Sequence, residues 1–365
     1  EIYTVYKSSA ASDVYKRQEL ARAGHQVTLL EGEDRLGGVL ATGIPAYRLP
    51  REALEREIAA IVELGVEVRC GARLGRDDVA TLAREHDAVI LATGLQRARR
   101  LQVEGAALEG VRDGLAFLRK VNLEGGERLG GHVVVLGGGN TAMDCARSAL
   151  RAGAERVTVA YRRTRAEMPA IREEVEEALH EGIELLIQRS PLGFTGNGRV
   201  AAVALAEVEM GEPDDTGRRR PVVTERTETV SCDHVLLALG QSADLSLLPE
   251  GWELREGRVY AGGRATNVFA AGDVATGDGT VTHAIGSGRR AAGLVLRALG
   301  EDVDVFERPD RRAAVPITDI RLDHFARAEP AREGALAPGR RACSEAEVKS
   351  GLRSALEAHR CFSCG

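Results

Sequence analysis

The chain alternates between short apolar runs that stop at glycine and longer stretches with apolar residues three or four apart. Val27-Thr-Leu-Leu30, Val133-Val-Val-Leu136, Val157-Thr-Val-Ala-Tyr161 and Val268-Phe-Ala-Ala271 are of the first kind, as are the apolar cores of His86–Gly94 and Cys232–Gly240. Runs rich in β-branched residues and lacking polar alternation predict strands covered on both faces, as in parallel sheets. Between them, Pro50 to Leu64 carries Leu54, Ile58 and Ile61 on one helical face and stops at Gly65. Further helices are predicted over Asp77–Arg84, Thr141–Ala152, Ala170–Glu181 and Thr282–Leu299. Strand and helix in turn predict an α/β fold. Val200–Met210 and Val222–Val230 read instead as an antiparallel excursion joined by a polar turn. An aspartate, an apolar strand and Ala-x-Gly occur at 86–94 and again at 232–240, a weak internal repeat of two nucleotide-binding units.

The most informative run is His132 to Asp144. A β-branched strand breaks at Gly137, Gly138 and Gly139, and Asn140 and Thr141 open a helix. Strand, tight turn and helix N-terminus form the layout that grips a dinucleotide pyrophosphate. Gly137 permits the turn, Gly139 lets backbone approach phosphate, and Ala142 stands where helix packs closely on strand. The next strand ends at Tyr161 in Arg162 and Arg163, where an acidic residue would take a ribose 2′-hydroxyl. Arginines there favour a 2′-phosphate, and so NADP over NAD. The plainer alternative is a βαβ unit with a solvated arginine pair.

Glu19-Leu-Ala-Arg-Ala-Gly24 reads as the last turns of a helix, and Val27–Leu30 as the following strand, ending at Glu31. That is the second half of another βαβ unit, with the acid that would hold an adenosine ribose. Its first strand and glycine turn are expected upstream. Glu1 to Gln18 back-translate onto a common short-read sequencing adapter, apart from Val5–Lys7, so these residues are expected to stand outside the fold.

The 365 residues are 44% hydrophobic with 42 glycines, enough for more than one domain, and the 4% aromatic content predicts cores of Ala, Val and Leu. A net charge of −6 argues against general affinity for nucleic acid or anionic membranes. No apolar stretch approaches membrane-spanning length, and the six scattered cysteines do not suggest a secreted disulfide framework, so a cytoplasmic enzyme is expected. Cys145 has no C-x-x-C partner, which counts against dithiol chemistry.

Several motifs together resemble one family, the small (beta) subunit of glutamate synthase and its relatives among the NADPH-dependent FAD/iron–sulfur oxidoreductases. They are Gly37-Gly-Val-Leu-Ala-Thr-Gly-Ile-Pro-Ala-Tyr-Arg-Leu-Pro50, Leu91-Ala-Thr-Gly94, Gly137-Gly-Gly-Asn-Thr-Ala-Met-Asp144, Tyr161-Arg-Arg-Thr-Arg-Ala-Glu-Met-Pro169, Ala238-Leu-Gly-Gln241, Val268-Phe-Ala-Ala-Gly-Asp273 and Arg360-Cys-Phe-Ser-Cys-Gly365. The resemblance covers everything after Gln18. It implies two Rossmann-like domains, with the NADPH domain (123–237) inserted between two FAD-domain segments (19–122 and 238–300), and a tail over 301–365.

By the same resemblance Glu31 binds the FAD ribose, and Gly37, Gly38, Thr93 and Gly94 lie along the flavin. Gly272 and Asp273 face its ribityl and phosphate region, with Thr282, Ala284 and Ile285 near the isoalloxazine and Gly240 in the matching Ala-Leu-Gly-Gln. Gly137, Gly139, Asn140 and Thr141 hold the NADPH pyrophosphate; Arg162, Arg163 and Arg165 hold the 2′-phosphate. Cys361 and Cys364 would open a set of 4Fe-4S ligands; each cluster needs four thiolates, so the remainder is expected beyond Gly365. The implied activity is electron transfer from NADPH through FAD to clusters and on to a partner subunit or ferredoxin-type acceptor. A non-catalytic NADP-binding scaffold and a flavin disulfide reductase are the competing readings.

Overall fold

Residues 2–6, 20–213, 219–301, 334–341 and 344 are described by the computed structural model. Strands β1 (Ile2–Tyr6), β2 (Val27–Glu31), β3 (Glu67–Arg69) and β4 (Ala88–Leu91) begin one sheet, and β5 (Arg97–Ala98) leads away from it. Strands β6 (Val111–Asp113), β7 (His132–Leu136), β8 (Arg156–Tyr161) and β9 (Glu184–Ile187) begin a second. Three long strands, β10 (Arg189–Asn197), β11 (Arg199–Pro213) and β12 (Arg219–Ser231), form the antiparallel excursion. The chain returns through β13 (His234–Leu237) and crosses back at β14 (Gln241–Ser242). The first sheet is completed by β15 (Trp252–Arg255), β16 (Arg258–Ala261) and β17 (Arg264–Ala270).

The first sheet has the order β15-β16-β17-β4-β1-β2-β3, parallel from β17 to β3. The second runs β6-β13-β7-β8-β9, parallel throughout. Two chain crossings join them side by side, β14 pairing antiparallel with β5. Both sheets reverse their strand order once, beside β1 and beside β7. In open α/β sheets the crevice beyond the strand ends at such a switch point is where ligands bind.

Burial follows the expected pattern. Val133 to Leu136 are at most 1% exposed, as are Val89 and Ile90, so both faces of these strands are covered. The helix Asn140–Arg151 buries every residue from Ala142 to Ala149, its apolar side against β7, β8 and the helix Gly114–Glu124. Ala142 and Ala146 lie there with no exposed surface, small enough to bring helix and sheet together. The helix Val281–Ala298 covers the other sheet with Ala291, Ala292, Val295 and Leu296.

Two placements bear on the expected bounds. Ile2–Tyr6 pairs in parallel with both β2 and β4, in the central slot expected for the strand upstream. A slot with an open ladder on each side takes a β-branched and aromatic run, and Ile-Tyr-Thr-Val-Tyr is one. Glu1 and residues 7–18 lie outside the described residues. The boundary at 122/123 also moves. Val111–Asp113 pairs in parallel with β13, so the second sheet has begun by residue 111. The glycine-rich 122–131 is an internal turn, capped where Gly125 adopts φ 75° and donates its N–H to Lys120.

Candidate functional site

The second sheet's crevice lies past β7 and β13. Gly137 has φ 147°, and a β-carbon there would meet the Ala238 carbonyl oxygen at 2.2 Å, so only glycine lets the two strand ends approach. A β-carbon on Gly138 would strike the Tyr161 ring at 2.4 Å; that ring is fixed by its hydroxyl donating to the Glu167 carbonyl (2.9 Å). At Gly139 the nearest atom to such a carbon is 4.0 Å away, on Pro169. Gly139 caps the twelve-residue helix Asn140–Arg151 with no side chain on its first amides. An open helix start with free N–H groups and a positive dipole end suits a phosphate. Half-buried Thr141 lies on this first turn. The Asn140 side-chain oxygen instead accepts the Ile171 N–H (2.9 Å) and pins the loop after β8 across the helix start.

That loop also carries the three arginines. Arg162 is exposed, and Arg163 is half-buried. Arg165 turns aside to an ion pair with Glu176 at 2.6 Å.

The first sheet's crevice draws on segments far apart in sequence. Glu31, 2% exposed, ends β2 and accepts the Glu33 N–H at 2.9 Å. Gly37 and Gly38 are buried with φ 119° and 51°; a β-carbon on Gly37 would press on Ala41 and Leu54 at 2.8 and 3.3 Å. Thr93 and Gly94 follow β4; Gly272 and Asp273 follow β17, its neighbour, and the Gly272 N–H is held by Ser287 (3.0 Å). At this shared edge two buried polar atoms have no partner among the described residues, Thr93 Oγ1 and Asp273 Oδ1. Burial raises the Asp273 carboxyl above its ordinary pKa. Unsatisfied buried polar atoms are uncommon and costly, and a polar ligand would satisfy these two. At the start of the nearby helix, Thr282 is exposed, Ala284 buried and Ile285 half-buried. Gly240 adopts φ 95° at the crossing, where its carbonyl accepts the Arg99 N–H (3.0 Å).

Between the crevices is a joint that sequence reasoning missed. Tyr47 and Arg48, from the Gly/Pro-rich loop of the first sheet's unit, reach the helix Asn140–Arg151. Arg48 Nη1 donates to both Asp144 oxygens at 2.7 and 2.8 Å, and its Nε meets Glu174 at 3.0 Å. Arg147 and Arg151 bind Glu181, and Arg147 also reaches Glu174. Their guanidinium carbons stand 4.8 and 3.8 Å from the centre of the buried Tyr47 ring. Three arginines thus offset three carboxylates; the Arg48 and Glu174 side chains are 18% exposed and the other four at most 6%. Burial pushes Asp144 up to about 6, against the opposing pull of Arg48. Asn122, donating to the Thr42 carbonyl (2.9 Å), adds a further tie. One signal was present in the sequence: Asp144, Arg147 and Arg151 repeat at helical spacing on an otherwise apolar helix.

Of the cysteines, Cys70, Cys145 and Cys232 are free thiols among the described residues. Burial holds Cys145 well above its ordinary pKa, and its thiol donates to the Gly114 carbonyl at 3.4 Å. A protonated, enclosed thiol is a poor nucleophile. Cys361 and Cys364 lie outside the described residues. Among the described residues no group of three potential metal ligands gathers, and no helix is long and apolar enough to cross a membrane.

Comparison with known proteins gives the family and the fold. The profile of the family described as pyridine nucleotide-disulphide oxidoreductase matches residues 15–288. The beta subunit of the NADP(+)-dependent formate dehydrogenase of Moorella thermoacetica is 44% identical over 293 residues, covering 75% of this chain and 40% of that protein. The chain thus spans less than half the length of that relative. A putative glutamate synthase [NADPH] small chain of Cereibacter sphaeroides is 37% identical over 77% of this chain and 73% of its own length. Mycobacterium tuberculosis FprA, solved in complex with NADPH, superposes with a TM-score of 0.69 at 18% identity, over 82% of this chain and 84% of FprA, and so shares its fold. The chain belongs to the pyridine nucleotide-disulphide oxidoreductase family and is related to glutamate synthase small chains.

Proposed function

We propose that the chain is the NADPH-oxidising, FAD-carrying part of an electron-transfer enzyme of the glutamate synthase small-chain type. Its electrons would go to 4Fe-4S clusters, with Cys361 and Cys364 among the ligands, and then to a partner subunit or ferredoxin-type acceptor. The observation that carries the reading is the pairing of two different crevices in one α/β fold. One is an uncapped helix start behind three glycines; the other holds two orphaned polar atoms, on Thr93 and Asp273.

The residues divide the work by chemistry. Gly139 and the first amides of the helix Asn140–Arg151 hold a pyrophosphate, while Arg162 and Arg163 select a 2′-phosphate. Thr93 and Asp273 offer hydrogen bonds to the hydroxyl-rich chain of FAD, and Glu31 accepts from its ribose. When bound, FAD supplies the step from two-electron hydride chemistry to single-electron transfer. No side-chain acid or base is assigned. The Tyr47–Arg48 joint holds the two crevices in one orientation. Dithiol chemistry is disfavoured by the enclosed Cys145 thiol.

Calorimetric titration of the protein with NADPH and NADH, then with FAD, tests this. NADPH should bind at least roughly tenfold more tightly than NADH, the scale of one charge-assisted phosphate contact. FAD should give a yellow protein that bleaches under argon on adding NADPH. A protein that takes up neither nucleotide overturns the proposal.

A further inference from the structure

With Arg165 committed to Glu176, the loop after β8 offers only Arg162 and Arg163 to an anion. A second element stands beside them. Gln188, between β9 and β10, has φ 54°, a left-handed conformation rare for a residue with a β-carbon. Its N–H donates to the Arg163 carbonyl (3.1 Å), its carbonyl accepts from Val208 (2.9 Å), and its side-chain amide donates to the Val208 carbonyl (2.9 Å). Three hydrogen bonds hold this strained residue in place, and together they pin the antiparallel sheet to the arginine loop.

The pin brings the start of β12 against that loop. Arg163 Nε donates to the Arg219 carbonyl at 3.3 Å. The Arg219 guanidinium is anchored by Nε on the Gly211 carbonyl (3.3 Å) and Nη2 on the Met210 carbonyl (2.9 Å). Two carbonyls therefore fix the plane of the fork and leave Nη1 without a hydrogen bond among the described residues. Among the described residues no carboxylate pairs with Arg162, Arg163, Arg219 or Arg220. The nearby Glu167 is already engaged by Thr164, at 2.6 Å from its hydroxyl and 3.3 Å from its N–H. That carboxyl sits below its usual range, first through the Thr164 hydroxyl and also through Arg219 and Arg163. Glu167 is one carboxylate among these guanidinium groups, and an anion beside Arg163 and Arg219 offsets the charge that remains.

We propose that the β11–β12 hairpin forms a second wall of the pocket for the 2′-phosphate of NADPH, with Arg219 as a specificity-determining residue beside Arg162 and Arg163. The inference rests on the NADPH reading above. It adds a contact from a separate element of the fold, reached only because Gln188 adopts its left-handed turn.

The test uses the phosphate handle alone. The whole protein is titrated calorimetrically with 2′,5′-ADP and with 5′-AMP, as wild type and as Arg219→Ala, Arg219→Lys, Gln188→Ala and Arg165→Ala. Arg219→Ala should weaken 2′,5′-ADP about tenfold and leave 5′-AMP unchanged; Arg219→Lys should recover part of the loss. Gln188→Ala should act in the same direction, and Arg165→Ala should have no effect. An unchanged ratio of the two ligands in Arg219→Ala, in a variant that melts with the wild type, overturns the hairpin's role alone. A wild type that binds both ligands equally overturns the NADPH reading and this inference with it.

Discussion

The two crevices reach similar ends by different means. Past β7, six consecutive residues from Leu136 to Thr141 form the floor, and the features that matter are absences of side chain: no β-carbon at Gly137 or Gly138, no cap on the helix start. Past β4, the floor is assembled from Glu31, Gly37, Thr93 and Asp273, up to about 240 residues apart, and the features that matter are polar atoms held without partners. The first design is enforced by sterics and tolerates no added atom at Gly137 or Gly138. The second is held by its surrounding strands and carries unmet hydrogen bonds, a cost to the fold that suits a bound ligand.

The sharpest break should come at Gly137. Gly137→Ala drives a methyl into the Ala238 carbonyl at a backbone angle alanine avoids, and is expected to cost on the order of 3–5 kcal/mol. Thermal melting should show a large drop, with nucleotide binding lost; a near-native melting curve would place the strand ends further apart than described.

Next comes the joint. Arg48→Ala leaves Asp144 buried beside Glu174 with one cation fewer, a loss of about 3–5 kcal/mol where an enclosed pair is broken from one side. Because the joint couples two units, denaturation should separate into two transitions. A single transition of unchanged midpoint would show that the units are held together elsewhere.

The pH dependence is subtler. Burial raises Asp144 to about 6, above a free carboxylate, so the folded chain binds its proton more tightly than the unfolded chain. This contribution favours the fold below the free-carboxylate range and is lost as pH rises through about 6. Asp144→Asn should flatten that segment of the stability–pH profile, by at most about 2–3 kcal/mol. An identical slope in the variant would relocate the titration to another group.

The smallest expected effect discriminates most directly between the crevices. Thr93→Val removes an unpartnered buried hydroxyl at nearly constant volume and should stabilise the protein by about 1 kcal/mol while weakening FAD uptake. Urea denaturation and flavin retention read the two sides. Loss of stability without loss of flavin would mean that the hydroxyl serves the fold.

What could be read from the sequence follows the same division. The crevice past β7 was legible as structure because its rule is local: a β-branched run, three glycines and a helix obey one steric argument within a dozen residues. The parallel strands were legible through their unbroken apolar runs. Tertiary choices were not. Arg165 reads like Arg162 and Arg163 in sequence, and only the position of Glu176 separates them. Val111–Asp113 is too short for periodicity to assign, and its sheet is set by β13. Nothing at Gln188 announces a positive φ. Tyr47 and Arg48 lie in a loop whose glycines and prolines suggested a turn; their partners come about 100 residues later. The role of Ile2–Tyr6 depends on a vacancy between β2 and β4 that its own composition cannot reveal.

The charged seam at Tyr47 and Arg48 also bears on how this architecture can be recombined. The second sheet's side of the seam sets three carboxylates against two arginines and the loop supplies the third arginine, so that unit moved between relatives needs a matching cation from the host. Grafts that carry the Ile44–Pro50 loop together with the helix Asn140–Arg151 keep the charges in register. Those that cut between them leave buried ions facing an apolar wall, which makes the loop and the helix a single unit of inheritance despite their distance along the chain.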